Sequence, residues 1–83
     1  MVLCAKYIVN DRGQAIIFPS EMQHSDVAKL ECLGSPVSAG QVVIFPILPG
    51  SVEVQCFGES LTLHLSSRGD KDVEIISRML VDD

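Results

Sequence analysis

Tryptophan is absent from this chain, and one tyrosine and three phenylalanines are its only aromatics among 83 residues. Tyr7, Phe18, Phe45 and Phe57 are too few and too scattered for a platform on which nucleic-acid bases stack. A concentrated positive face is lacking as well. Six Lys and Arg stand against eleven Asp and Glu, for a net charge of −5. Lys6, Arg12, Lys29, Arg68, Lys71 and Arg78 are dispersed, whereas binding a phosphate backbone needs clustered cations. No nucleic-acid partner is therefore expected. The acids are dispersed too, with no run longer than two, which gives little support to mimicry of DNA.

Long apolar runs are also missing. The longest, residues 42–48, is interrupted by Pro46 and falls far short of the roughly 20 residues of a membrane helix. The opening Met1-Val2-Leu3-Cys4-Ala5-Lys6 lacks the charged and apolar regions of a secretory signal, so a cytoplasmic protein without a membrane partner is expected. Cys4, Cys32 and Cys56 are an odd number with no C-x-x-C pair. They read as small buried hydrophobes in a reducing compartment rather than a disulfide framework. Neither they nor His24 and His64 have the short ligand spacing of a zinc site. Gly34, Gly40, Gly50, Gly58 and Gly69 stand alone as turn punctuation, with no phosphate-cradling loop. No metal or cofactor is expected.

What the chain has in excess is apolarity: 47% hydrophobic residues against 20% charged, and a mean hydropathy of +0.33. A domain this small buries only roughly 60% of its unfolded surface. Some apolar side chains must then lie outside, either scattered singly, as is normal, or gathered in a contiguous patch that becomes a subunit interface, which is the favoured reading.

The order of elements predicts a single α+β domain over residues 1–83, ββαβββα, with a mainly antiparallel sheet and two helices packed on one face. Residues 3–9 and 14–18 form a hairpin around Asn10-Asp11-Arg12-Gly13, and Pro19 stops the second strand. Ser20-Glu21-Met22-Gln23 has the form of a capping box, and Ser25 is a second N-cap candidate. The helix begins at Met22 or Ser25 and runs to Leu33 on a Val27, Leu30, Leu33 stripe, with Gly34 and Pro36 beyond it. Strand follows over residues 37–45, then a Pro/Gly loop over 46–51, then two alternating strands at 52–56 and 61–65. Phe57-Gly58-Glu59-Ser60 joins these as a tight turn or a bulge. The last helix opens with Asp70, Asp72 and Glu74 and ends near Arg78, matching the helix dipole. Val73, Ile76 and Leu80 line one of its faces, and Ser67 or Asp70 is its expected N-cap. Val81, Asp82 and Asp83 are expected to fray.

Val42, Val43, Ile44 and Phe45 are apolar on both alternating faces, the mark of a strand covered on both sides. With both helices on one face, a second copy of the chain is the simplest cover for the other, which makes these four residues the expected interface.

No coherent catalytic set emerges. His24-Ser25-Asp26 holds three catalytic residue types, but neighbours on a helix project about 100° apart and do not converge. Capping by Ser25 and Asp26 explains them better. Cys56 and His64 fall on opposite faces of a hairpin built from 52–56 and 61–65. Arg68-Gly69-Asp70 reads as a turn and a cap rather than an adhesion tripeptide.

His24-Ser25-Asp26-Val27-Ala28, Pro36-Val37-Ser38-Ala39-Gly40 and Phe57-Gly58-Glu59-Ser60 with the residues up to Arg68 together resemble small bacterial proteins met in prophage regions and mobile gene cassettes. The resemblance spans residues 7–80. It implies a bacterial, mobile-element origin and carries no activity or site residues to transfer.

The expected function is that of a non-enzymatic module acting through protein–protein contact, with itself or another protein as partner. The alternative is a small-ligand binder with its site between sheet and helices or at a dimer seam. Its candidate polar contributors are Tyr7, His24, Ser38, Gln41, Glu59, Ser60 and His64.

Overall fold

The computed structural model describes residues 2–31 and 34–81. Elements follow in the order β1 (Leu3–Asn10), β2 (Ala15–Phe18), α1 (His24–Glu31), β3 (Pro36–Leu48), β4 (Ser51–Phe57), β5 (Glu59–Ser60), β6 (Leu65–Ser66) and α2 (Asp70–Val81). The class is α+β as expected. β1 to β4 form one antiparallel sheet ordered β2-β1-β3-β4, and β5 pairs with β6 apart from it. No helix among the described residues is long and apolar enough to cross a membrane.

The first hairpin closes as its sequence demands. Gly13 supplies the positive φ of the turn (76°). The side-chain oxygen of Asn10 accepts from the amides of Arg12 and Gln14, both at 3.0 Å, an arrangement in which a short amide side chain stands in for backbone. The Asp11 amide donates to the Ser35 carbonyl at 2.8 Å, which ties this turn to the start of β3.

Pairing puts Ala5, Tyr7 and Val9 of β1 opposite Val42, Gly40 and Ser38 of β3, and Val42 and Ile44 opposite Cys56 and Val54 of β4. These residues share one face of the sheet. Tyr7, Val9, Val42 and Val54 form its core with Ile76 of α2. The alternate residues Ile8 and Ala39 meet Phe18 and Val27 of α1 on the other face, with Leu63 and Leu65 packed beside them. The two helices therefore lie on opposite faces, not on one. Of residues 42–45, Val42 and Ile44 pack on the α2 side, while Val43 and Phe45 alternate onto the other face and are half-buried.

Three other expectations are corrected. Residues 46–48 continue β3 rather than forming a loop, with an irregularity between Pro46 and Leu48. The pairing with β1 ends at Ile44, and a proline is tolerated where a strand has lost a neighbour. Residues 61–64 are a turn, not strand. It includes His64 at φ 56°, and its stub strands β5 and β6 pair Glu59 with Ser66 and Ser60 with Leu65. The alternation of Leu61, Leu63 and Leu65 serves instead to lay Leu63 and Leu65 onto the α1 side of the core. Finally, α1 takes its first bond at the Gln23 carbonyl, from the Val27 amide. Ser25 and Asp26 lie inside its opening turn, so neither is the N-cap. The expected helix end at Leu33 lies outside the described residues, as do Cys32, Asp82 and Asp83.

Gly40 is where the two layers cross. A Cβ there meets the Phe57 carbonyl oxygen at 2.5 Å and Ser67 Cβ at 3.3 Å, so only glycine lets the β4–β5 link pass this close to β3. Gly40→Ala is expected to lower unfolding free energy by about 2 kcal/mol, as overpacking against backbone does. Chemical denaturation measures this, and an unchanged midpoint overturns the close-approach account.

Candidate functional site

The densest polar constellation is built around Asp72, in the first turn of α2. It lies four residues before Ile76 and so on the core-facing stripe, and it is fully buried. A carboxylate has about four lone-pair positions, and all four are occupied. Oδ2 accepts from the Tyr7 hydroxyl at 2.6 Å and the Arg68 amide at 2.9 Å. Oδ1 accepts from the Ser38 hydroxyl at 2.9 Å and Arg68 Nε at 2.9 Å. The Tyr7 oxygen also lies 2.7 Å from Ser67 Oγ. The phenol has one proton and a carboxylate only accepts, so Ser67 is the donor in that contact. Ser67 Oγ in turn accepts from the Gly69 amide at 3.0 Å.

Burial pushes the Asp72 carboxyl upward, but the bonds from Tyr7, the Arg68 amide, Ser38 and the Arg68 guanidinium outweigh it and hold the group below the usual carboxylate range. Burial, reinforced by the bond to Asp72, moves the Tyr7 phenol far above its ordinary value. Cys56 packs against the same core, and burial with the Asp72 charge nearby pushes its thiol up to about 11. A thiol in that state is protonated at neutral pH and is a poor nucleophile. Tyrosine, serine, cysteine and carboxylate thus converge, but as a closed set.

The capping expectations change accordingly. The Val73 amide bonds the Gly69 carbonyl, which makes Gly69 the N-cap, with Asp70 the first helical residue. Asp72 reaches back to the chain before the helix, as the acid of a capping box does.

The seven sequence candidates separate. Tyr7 and Ser38 meet at Asp72. His24, Glu59 and Ser60 line a different cleft of about 270 Å³ on the α1 side, with Lys6, Gln23, Leu61 and Thr62. Gln41 is exposed on β3 opposite Phe57, and His64 is exposed in its turn. His64 and Cys56 are not brought together: residues 61–65 cover the α1 face and Cys56 the α2 face.

The cleft's polar groups are largely committed. His24 is buried, its Nε2 2.9 Å from the Gly40 carbonyl oxygen and its ring edge-on to Phe18. The carbonyl can only accept, so Nε2 carries the proton. Burial lowers the pKa of His24 and the Lys6 charge adds to this, against the opposing bond to Gly40. Lys6 donates to the Met22 carbonyl at 2.9 Å, and Ser60 Oγ accepts from the Leu63 amide at 3.3 Å.

Of the expected interface residues, Val42 is fully buried within the monomer, while Val43, Ile44 and Phe45 are half-buried. Val42 has no surface to offer a partner. The apolar surplus surfaces elsewhere. Ile47 is 56% exposed and Leu48 66%, and both line a groove of about 700 Å³ with Pro46, Pro49, Val52 and Leu80 at the C-terminal end of α2. Cys4 is exposed, contrary to the expectation of burial, and Cys56 is half-buried.

Asp72, Ser67 and Arg68 are the residues that sequence reasoning passed over as members of a constellation. One signal pointed to Asp72: its i, i+4, i+8 relation to Ile76 and Leu80 puts an acid on an apolar stripe. Among the described residues, no three of His, Cys, Asp and Glu gather as a metal site.

No family model, curated protein or solved structure matches the chain.

Two outcomes follow from the buried groups. Asp72→Asn is expected to cost about 3 kcal/mol, because it removes the charge and turns donors toward donors. Tyr7→Phe costs about 1.5 kcal/mol by loss of a buried bond. Equal, small effects in denaturant melts overturn the network's role. The acid side of the stability profile carries both titrating groups. The folded-state pKa of Asp72 is depressed, so its contribution is present above its unfolded value near pH 3.9 and is lost as pH falls below it. His24 is also depressed, so the unfolded chain binds its proton first. Stability then begins to fall below about pH 6.5, and His24→Gln is expected to flatten that part of the profile only.

Proposed function

We propose that this chain is a small non-enzymatic interaction module that works as a homodimer. The observation that supports the reading is the apolar end of the molecule, where Ile47, Leu48 and Leu80 share an open groove that the described residues leave uncovered. Exposed apolar residues gathered at one place mark an interaction surface, and a small domain gains from association the burial it lacks alone. The polar residues that resemble catalytic machinery give the opposite message. They are buried, mutually bonded and, for Cys56, held as a thiol, whereas a working site needs groups converging on a space open to substrate.

The cytoplasm is the proposed compartment, since an exposed free thiol such as Cys4 persists best where glutathione and thioredoxin keep it reduced. The resemblance to prophage and gene-cassette proteins supports a mobile-element origin.

One observation favours a second reading, a small polar ligand in the α1-side cleft: Lys6, His24, Glu59 and Ser60 line it together. It ranks second because Lys6, His24 and Ser60 already bond within the protein.

Light scattering of the purified chain at micromolar concentration is expected to return about twice the monomer mass of 9.0 kDa. A monomer mass held across the accessible concentration range removes the homodimer.

A further inference from the structure

We infer that the second copy adds to the outer edge of β4, joining two four-stranded sheets into one eight-stranded sheet about a two-fold axis at Val54. This rests on the homodimer reading and specifies its interface.

The sheet has two edges, β2 and β4, and they differ in kind. β2 is four residues long and is followed at once by Pro19. Short length and proline are the usual devices that keep an edge from pairing. β4 is seven residues long, SVEVQCF, with no proline and no lysine. Among the described residues β3 is its only strand neighbour, so its outer row of backbone N–H and C=O groups forms a template for one more strand.

The chemistry of β4 selects a second β4 as that strand. Two copies related by a two-fold axis pair antiparallel, and side chains stay on matching faces only when the axis passes through a residue. An axis at Val54, the midpoint, pairs all seven residues. Val52 then faces the partner copy's Cys56 on the α2 side, apolar against apolar. Glu53 faces a Gln55, so the strand's one charge meets an amide. An axis at Glu53 sets that carboxylate against itself, and like charges directly opposite are unfavourable. An axis at Gln55 pairs fewer residues. The Val54 register also brings Phe57, 47% exposed, opposite Ser51 of the other copy. Phe57 then lies on the face of Glu53 and Gln55, near Leu48, which pairs with Ser51.

The register is tested at Gln55, which is exposed and in this arrangement faces Glu53 across the axis twice. Dimer dissociation is measured by sedimentation at about 0.15 M salt, where distant charges are largely screened. Gln55→Glu is expected to weaken the dimer roughly fivefold and Gln55→Lys to tighten it by a similar factor, from two symmetric cross-strand pairs. The same charge changes at exposed Ser20, near the other edge, are expected to shift it by less than about twofold. Thermal melts of each variant establish that it folds. Hydrogen exchange provides a readout without substitution: amides on the outer edge of β4 become protected as concentration rises through the dissociation constant.

Opposite shifts for the two Gln55 variants, with β4 protection, support the inference. A dimer indifferent to both, or β4 amides unprotected in it, overturns the β4 interface and leaves the homodimer standing. A monomeric wild-type chain overturns both.

Discussion

The carboxylate of Asp72 is the constraint on which the arrangement of the molecule depends. An ionised acid in a low-dielectric interior is costly unless every lone pair is met. Here the partners come from β1 through Tyr7, from β3 through Ser38, and from the lead-in to α2 through Arg68. Satisfying one side chain therefore sets where α2 sits on the sheet and how the chain enters it. Apolar packing of Ile76 and Val73 against Tyr7, Val9 and Val42 provides attraction without direction, whereas the four bonds to Asp72 provide direction. The group is best understood as a clip for α2.

Around that clip each face of the sheet carries a helix of the same chain. α2 packs on the face that carries Tyr7 and Val42, and α1 with Leu63 and Leu65 on the face that carries Ile8 and Ala39. Gly40 permits the second layer by letting the Phe57 carbonyl approach β3. Among the described residues the coverage is incomplete at the outer edge of β4 and at the groove where Leu80 meets Ile47 and Leu48, as it is around Leu3 and Cys4. The first two share the β3–β4 end of the sheet, since Val52 of β4 lines the groove.

The site chemistry was only partly legible. Tyr7 and Ser38 were recognisable as polar residues in apolar strands, but nothing local tied them to an acid 65 and 34 residues away. Asp72 read as a helix-opening acid that suits the dipole, which it is; its place on the stripe of Ile76 and Leu80 was the unused clue. A helix start at Met22 or Ser25 leaves His24 either inside the helix or just before it, and its role as a buried donor to Gly40 depends on α1 lying near β3. Residues 61–65 misled because alternating leucines serve a strand and a folded-back turn equally well when both bury every second side chain.

What the sequence determined alone is local or summed over the chain. The α+β class, the antiparallel hairpin around Gly13, the second helix with its acidic opening and the surplus of apolar surface all follow from φ preferences, periodicity and composition. Tertiary structure alone decided that the helices take opposite faces, that Val42 is sealed inside, and that Tyr7, Ser38, Ser67 and Arg68 meet at Asp72. The physical reason is the same in each case. Alternation says which residues share a face of a strand but not which helix will cover it. A buried charge says that it needs partners but not where in the chain they will be found.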